Sequence, residues 1–362
     1  LFNLFDWFGR SSIKLGYTLF ISDFIISPAT PSNTARCGGI LYPIVRSLAS
    51  AFGSEPRQSP RKIGSYILAT TFQADAPIAA MFITACAPNL LIVAFAQDVA
   101  NLSISWGTWA LAAIVPGLLS MLIIPYFIYK FYPPEIKETK EAQRVAKEEL
   151  NNMGKMSRGE WVITGVFLGA LLLWSTSQYT NINATVVALL GVCVMLVSGV
   201  LEWDEIIEEK GAWDGMMWMG GIVGLAGALN KVGFIPWFAT AASGLMGQQD
   251  WLITLVVLFL IYMYSHYTFA SLSAHVTAMY GAFLAVAVSA GAPPFLAAFG
   301  LAALSNLMAG LTHYATGSAP LYYGAGYIQQ KDWWNIGFCC SVINFIIWIG
   351  IGSMWWKVLG LW

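Results

Sequence analysis

Long apolar segments, repeated along almost the whole chain, constrain this sequence more than any other feature. Several of them approach the roughly 20 apolar residues that a helix needs to cross the hydrocarbon core of a bilayer. Only 10% of the 362 residues are charged, less than half of the about 25% that soluble domains carry. The sequence therefore predicts an all-α protein that crosses a membrane several times. Its net charge of −1 gives no basic surface for a phosphate backbone, so we expect no nucleic-acid partner.

Two pairs of apolar segments are separated by short polar tips. Segments 15–30 and 35–51 flank the first tip, and segments 251–270 and 275–290 flank the second. Short apolar arms around a polar tip favour a re-entrant hairpin, which enters the membrane and returns to the same side. We therefore predict re-entrant hairpins at 15–51 and 251–290. The other apolar segments lie at 63–97, 106–129, 161–178, 184–201, 213–245, 294–328 and 333–356.

The distribution of basic residues predicts the orientation of these segments. Seven of the 18 Lys and Arg residues lie in 130–160, so the positive-inside rule places this charged, helical linker in the cytoplasm. Counting crossings from the linker, we expect the first hairpin to open to the cytoplasm and the second to the outside. The connections expected outside contain no Lys or Arg, and they are 98–105, 179–183, 246–250 and 291–293.

A short motif recurs after both hairpins. The pattern T-x-x-A-P occurs at Thr84–Pro88 and at Thr316–Pro320, each inside a long apolar segment. Paired, interrupted helices in two halves of opposite orientation are typical of a transporter with a midplane site. We predict a first repeat at 1–129 and a second at 161–362, joined by the linker 130–160. The first contains hairpin 15–51, broken helix 63–97 and helix 106–129; the second contains helices 161–201 and 213–245, hairpin 251–290, broken helix 294–328 and last helix 333–356.

Interrupted helices have a chemistry of their own. A helix break frees backbone N–H and C=O groups, and the N-terminus of a half-helix carries partial positive charge that favours an anion. Ser, Thr and Asn beside the break can donate hydrogen bonds to a carboxylate, and their oxygens can hold sodium. We expect almost no charged side chain at the breaks, so that neutral donors and dipoles hold the anion.

The hairpin and break motifs resemble those of one transporter family. Ser32–Ala35 at a hairpin tip, followed by a break at Pro88 and Asn89, resembles the divalent-anion/sodium symporter family. In the second half, 269–276, 305–314 and 318–327 are similar to the branch of plastid 2-oxoglutarate/malate translocators and bacterial citrate/succinate antiporters. The resemblance covers essentially the whole chain, which starts at Leu1. We therefore expect that the first helices of the family are missing from it.

The resemblance implies an elevator-type carrier that works as a homodimer in the lipid bilayer. It implies a dicarboxylate bound between the two hairpin tips and the two broken helices. The binding positions that it carries over are Ser32, Asn33, Thr34, Ser271 and Ser273, with the breaks around Pro88 and Pro320 closing the cavity. To these we add the polar residues of the breaks and the two histidines that flank the site: Thr84, Asn89, His275, Thr312, His313 and Thr316.

The tip of the second hairpin departs from the sodium-coupled pattern. Sodium-coupled members use Ser-Asn-Thr in both halves, whereas here Leu272 replaces the asparagine and offers no oxygen. We expect at most one sodium site, at Ser32 and Asn33, and no other cofactor. This favours exchange over sodium symport. A histidine donor can replace the missing cation, although a neutral histidine bonded to a carbonyl is the structural alternative.

The leading hypothesis is exchange of C4 and C5 dicarboxylates such as malate, 2-oxoglutarate and succinate. The alternatives are sodium- or proton-coupled symport of a di- or tricarboxylate and, more remotely, an intramembrane hydrolase using Ser271 or Ser273 with His275 or His313. Asp23 and Asp75 lie inside apolar segments, where a carboxylate is a functional candidate. We expect the protein in the bacterial inner (plasma) membrane, with the plastid inner envelope as the alternative.

Overall fold

Helices make up the fold throughout the described residues. The computed structural model describes residues 3–4, 9–180, 182–234, 237 and 250–362. Among them, the only extended pairing is a single bridge between Ser11 and Glu138. The described helices that are long and apolar enough to cross a membrane are Trp106–Phe131, Trp251–Thr268, Leu272–Ser289 and Gln330–Val358. These observations confirm an all-α polytopic membrane protein.

The first part of the chain folds as a helical hairpin, an interrupted helix and a long helix. The two arms of the hairpin are separated by the polar tip at 30–33. The interrupted helix leaves helical geometry at 82–87, apart from a single 3₁₀ turn. In order, the elements are α1 (Ser12–Ile26), a π-helical stretch Thr34–Leu41 that continues as α2 (Tyr42–Ala51), α3 (Gly64–Met81), α4 (Pro88–Ala100) and α5 (Trp106–Phe131).

Between the hairpins lie the charged linker and a group of more exposed helices. The linker forms α6 (Lys140–Met153), and α7 (Arg158–Ser175) follows it. A capping box starts α7, and the backbone N–H of Ser157 lowers the pKa of the Glu160 carboxyl. Next come Ser177–Thr180, α8 (Ala184–Val197), Trp203–Glu208 and α9 (Lys210–Lys231). The predicted helix 213–245 is described only to 234 and at 237, and its remainder lies outside the described residues.

The second part of the chain repeats the order of the first. A hairpin, an interrupted helix and a long helix follow one another again, and the interruption lies at 311–318. The elements are α10 (Trp251–Ser265), α11 (Leu272–Ser289), α12 (Pro294–Leu307), α13 (Ala319–Gly324) and α14 (Gln330–Val358).

The two hairpins also share their local structure. The first arm of each ends in a 3₁₀ turn, at Ser27–Ala29 and His266–Thr268, and the second arm of each contains a π-helical stretch. Ser32 and Ser271 both cap the second arm, because each hydroxyl accepts a hydrogen bond from the backbone N–H three residues later. Helices α10 and α11 are each long enough to cross a membrane, so their length does not show that they re-enter it. Re-entry and the opposite orientations stay predictions.

Helix α3 lies at the centre of the fold. All 18 of its residues are buried, and it packs against α1, α2, α5 and α12. Two of its polar side chains bond to backbone carbonyls within the protein. Thr71 donates to the carbonyl of Ile67, and Gln73 donates to the carbonyl of Gly310 at 2.9 Å. Helix α3 thus joins the first hairpin to the interrupted helix of the second repeat.

Helix α14 approaches the second interruption closely at one glycine. A Cβ atom at Gly337 would collide with the backbone carbonyls of Gly310 and Leu311. Backbone atoms cannot move aside as the end of a flexible side chain does. Gly337 therefore allows the last helix to pack directly against the point where α12 stops.

We predict that Gly337→Ala destabilises the protein by about 1–3 kcal/mol, since overpacking a buried contact costs that much. The measurement is thermal unfolding of the purified protein in detergent. Gly350→Ala is the matched control on the same helix, because no described atom lies within 4 Å of its Cβ position. We expect the control to keep or slightly raise the melting temperature. Equal melting temperatures for both variants would contradict the close packing.

Candidate functional site

The tip of the first hairpin contacts the interrupted helix of the second repeat. Asn33 Nδ2 donates to Thr316 Oγ1 at 3.1 Å, across 283 residues of sequence. Beside this bond, Thr34 packs on Gly317, where a Cβ would lie 2.7 Å from the Thr34 hydroxyl. Tyr322 OH donates to the carbonyl of Cys37 at 3.0 Å. The structure thus brings together Asn33, Thr34 and Thr316, all three predicted as site residues.

A buried ion triad lies directly behind this tip. Arg36 Nε donates to Asp23 Oδ1 at 2.5 Å, and Arg36 Nη2 donates to Asp75 Oδ1 at 2.6 Å. The side chains of Arg36 and Asp23 are 0% exposed and that of Asp75 is 2% exposed. Asp75 Oδ2 accepts from Asn33 Nδ2 at 3.1 Å. The triad is therefore bonded to the tip through Asn33.

Arg36 also binds the first helix interruption. Its Nη1 donates to the carbonyl of Ala85 at 2.8 Å and to that of Thr30 at 3.3 Å. Ala85 lies where the chain leaves helical geometry, so its carbonyl is free to accept this bond. The expectation that almost no charged side chain lies at the breaks was wrong. A charged residue inside an apolar segment is a candidate functional residue. The sequence analysis used this criterion to single out Asp23 and Asp75 but did not apply it to Arg36.

Two asparagines stabilise the first interruption. Asn89 Nδ2 donates to the carbonyls of Ala79 and Phe82, both at 3.0 Å. Asn89 Oδ1 accepts from Asn306 of α12 at 2.8 Å. The sequence analysis did not single out the side chain of Asn306, because nothing in the sequence indicates which faces of α12 and α4 meet. The other two predicted residues of this interruption make different contacts. Thr84 Oγ1 accepts a hydrogen bond from Trp106 Nε1 at 3.1 Å, and Pro88 is the first residue of α4.

Two histidines connect the second hairpin to the second interruption. His266 Nε2 bonds the carbonyl of Ala315 at 2.9 Å, and since a carbonyl only accepts, Nε2 carries the hydrogen. The Nδ1 atoms of His266 and His275 lie 3.0 Å apart. Ser265 Oγ lies 3.2 Å from His275 Nε2. His266 has the carbonyl bond that the structural alternative predicts, while His275, within the described part of the chain, is connected to the interruption through His266.

Among the described residues, the side chains of the remaining predicted residues make no hydrogen bond to Asn33, Thr34 or Thr316. Ser271 is exposed and caps its helix, Ser32 and Ser273 are half-buried, and Pro320 is exposed at the start of α13. His313 Nδ1 accepts from Trp334 at 3.1 Å. Thr312 Oγ1 accepts a long bond, 3.4 Å, from the backbone N–H of Tyr314.

The ion triad has a counterpart in the second repeat. Tyr262 lies nine residues before the cap Ser271, as Asp23 lies nine residues before Ser32. His275 lies four residues after Ser271, as Arg36 lies four residues after Ser32. Likewise, Ser305 stands eleven residues into α12, as Asp75 does in α3. These three also touch, since Tyr262 OH lies 2.8 Å from Ser305 Oγ and the rings of Tyr262 and His275 stack at 4.7 Å. Equivalent positions therefore form a contact cluster in both repeats, but Arg36 is the central residue in the first and Tyr262 in the second, and the second contains no carboxylate.

The arrangement gives no support for a serine nucleophile. The hydroxyl bonded to His275 belongs to Ser265, whereas Ser271 Oγ accepts a backbone N–H. A nucleophilic serine needs its base within hydrogen-bond reach. Among the described residues, no group of three His, Cys, Asp or Glu side chains is arranged to hold a metal ion.

Comparison with known proteins matches almost the whole chain. The profile of a family described as the sodium:sulfate symporter transmembrane region matches residues 2–362. A putative malate transporter of Bacillus subtilis (YflS) is 51% identical over 98% of this chain and 74% of its own length. The chloroplastic dicarboxylate transporter 1 of Spinacia oleracea is 44% identical over 98% of this chain. The chain spans 63% of the length of that spinach protein. An inner membrane protein of Escherichia coli (YbhI) is 38% identical over 98% of this chain and 74% of its own length.

We predict that Arg36→Met destabilises the protein by about 3–5 kcal/mol, because it leaves buried carboxylates without their partner. The measurement is the thermal unfolding temperature in detergent, together with the yield of monodisperse protein. The control is Arg144→Met, which breaks an exposed i,i+4 pair with Glu148 and costs at most about 1 kcal/mol. If both variants unfold at the wild-type temperature, Arg36 does not stabilise the tip as described.

Proposed function

Because the chain belongs to the sodium:sulfate symporter transmembrane family, whose members are membrane transporters and not enzymes, we propose that it carries C4 and C5 dicarboxylates across a membrane. The observation that carries the proposal is the bond between Asn33 and Thr316. Through it the tip of one hairpin and the interruption of the opposite repeat form one polar contact inside an apolar protein. The intramembrane hydrolase hypothesis is wrong, since the family is one of transporters.

The relatives favour a dicarboxylate over sulfate as the substrate. The proteins of Bacillus subtilis and Spinacia oleracea are named for malate and for dicarboxylates, and each aligns with 98% of this chain. A dianion with two separated carboxylates would suit a site with donors on both hairpin tips. We assign one carboxylate to the first tip at Ser32 and Thr34, and the other to the second tip at Ser271 and Ser273.

Neutral groups hold the dianion in this proposal. Arg36 does not take part directly, because its N–H groups already point at Asp23, Asp75 and two backbone carbonyls. Hydroxyl and backbone N–H donors bind a carboxylate less strongly than a charged partner does. Moderate affinity suits a carrier, since it must release its cargo on the far side.

Exchange is the transport mode that we propose. Leu272 occupies the position that Asn33 holds at the first tip, is buried, and has no oxygen for a cation. We therefore propose no second sodium site of the Ser-Asn-Thr type. Sodium symport remains the alternative, because Ser32 and Asn33 keep the oxygens for a single site. The movement would be of the elevator type within a homodimer, in the bacterial plasma membrane or, as the alternative, the plastid inner envelope; the spinach relative is named chloroplastic.

We predict that Asn33→Ala lowers the rate of malate uptake at low substrate concentration by about tenfold or more. The variant leaves Asp75 Oδ2 and Thr316 Oγ1 without a donor, and a buried group left unpaired costs about 1–3 kcal/mol. The measurement is initial uptake of labelled malate into proteoliposomes. Asn183→Ala is the control, because Asn183 caps α8 on the exposed surface. If uptake is the same for both variants, the tip does not bind malate.

We further predict that malate uptake requires malate inside the vesicles and does not change when sodium replaces choline. Exchange demands an internal partner because the empty carrier reorients slowly. The measurement compares preloaded and empty proteoliposomes, each with and without sodium. Sodium-driven uptake into empty vesicles would contradict exchange and favour symport. Absence of uptake for malate, succinate and 2-oxoglutarate would contradict dicarboxylate transport itself.

A further inference from the structure

The ion triad of the first repeat contains more negative than positive charge. Two carboxylates, Asp23 and Asp75, share the single guanidinium of Arg36. No lysine, histidine or second arginine contacts them in the part of the chain that the structure describes. The other titratable neighbours are the thiols of Cys37 and Cys86 and the phenol of Tyr322, and none of these is positive in any protonation state. If both acids are ionised, the buried triad carries a net charge of −1.

The two carboxylates differ in how their oxygens are satisfied. Asp75 accepts one hydrogen bond on each oxygen, from Arg36 and from Asn33. Asp23 accepts on Oδ1 from Arg36, whereas its Oδ2 is buried and accepts a bond from no residue that the structure describes. A buried ionised oxygen without a donor is costly. A proton on Oδ2 would remove both the unpaired anionic oxygen and the excess charge.

The excess charge belongs to the first repeat alone. At the equivalent positions the second repeat has Tyr262, His275 and Ser305, which contain no carboxylate. Residues at the equivalent positions of the second repeat are therefore in contact without any acidic residue. The second repeat thus packs its hairpin without a carboxylate at the position equivalent to Asp23.

We propose that Asp23 Oδ2 is a proton-binding site whose occupancy is coupled to dicarboxylate binding at the first hairpin tip. The inference rests on the proposed function. Arg36, Asp75 and Asn33 connect Asp23 to the tip, so a dianion there lies close to the negative triad. Repulsion in a low-dielectric interior is strong, and a proton on Asp23 removes it. The proton comes from the solution that reaches the open site and returns to solution after transport, so only the O–H bond at Asp23 forms and breaks.

Coupling between two binding events is reciprocal. If the proton strengthens malate binding, malate must strengthen proton binding by the same factor. The dissociation constant for malate should then rise with pH, by up to about tenfold per pH unit when one proton is taken up. Asp23→Asn imitates the protonated acid in shape and charge. We expect it to bind malate tightly at every pH, as the wild type does only at low pH.

The first experiment measures malate binding to the purified full chain between about pH 6.5 and 8.5, where malate stays a dianion because carboxyl groups ordinarily titrate near pH 4. We expect wild type and the control Asp332→Asn to lose affinity with rising pH. Asp332 accepts from Tyr132 at 3.0 Å, away from the triad. Asp23→Asn should bind malate with a pH-independent constant.

The second experiment does not depend on a malate affinity, and its deciding result needs the wild type alone. Infrared spectroscopy of the wild type detects the C=O stretch of a protonated carboxyl, and we expect this band at neutral pH to grow when malate is added and to be missing in Asp23→Asn. A wild-type spectrum without the band at any pH above about 5, where exposed carboxyls are ionised, overturns the proton site.

The remaining outcomes distinguish failure of the proton site from failure of dicarboxylate transport. Malate binding that does not depend on pH, or Asp23→Asn with the wild-type slope, overturns the proton site and leaves dicarboxylate transport standing. Tight binding restored by sodium at high pH also overturns it, because a metal cation then balances the charge. If malate does not bind at any pH, the proposed function fails, and the infrared band alone decides on the proton.

Discussion

A single buried guanidinium between two carboxylates organises the first half of this protein. Arg36 reaches Asp23 on α1, Asp75 on α3 and the free carbonyl of Ala85 at the first helix interruption. Removing charges from water costs several kcal/mol for each ion, and only well-directed partners offset that cost. The triad therefore specifies one arrangement of hairpin, central helix and interruption. The position of Asn33 at the tip, and so its bond to Thr316, follows from that arrangement.

The two repeats use the same framework with different chemistry. In the second repeat Tyr262, His275 and Ser305 hold their hairpin with a hydroxyl bond and ring stacking instead of ion pairs. Neutral contacts of this kind are individually weaker than charge-assisted hydrogen bonds. The ionic chemistry is concentrated behind the first tip, while the groups proposed to touch the substrate are neutral. With such a division, strong ionic contacts stabilise the fold while weaker neutral contacts bind the substrate.

Much of the helical framework could be predicted from the sequence, because hydropathy and the recurring T-x-x-A-P motif are local signals. The contacts within the site could not. Asn33 and Thr316 are 283 residues apart, and Asn89 and Asn306 are 217 apart, so neither pair is visible to periodicity. Arg36 was overlooked although it lies inside an apolar segment, where a charged residue is itself a signal, and the partners of His266 could not be predicted because one histidine on a helix gives no indication of them. Hairpin re-entry, substrate contacts and sodium binding stay predictions.

The central claim is that a dicarboxylate lies between the two hairpin tips, in front of the triad. The most direct test is an experimental structure of the full protein in lipid nanodiscs with bound malate. We predict density for malate against Ser32 and Thr34 on one side and Ser271 and Ser273 on the other, with Arg36 still bonded to Asp23 and Asp75. Malate bound elsewhere, or bonded directly to a released Arg36, would contradict the account.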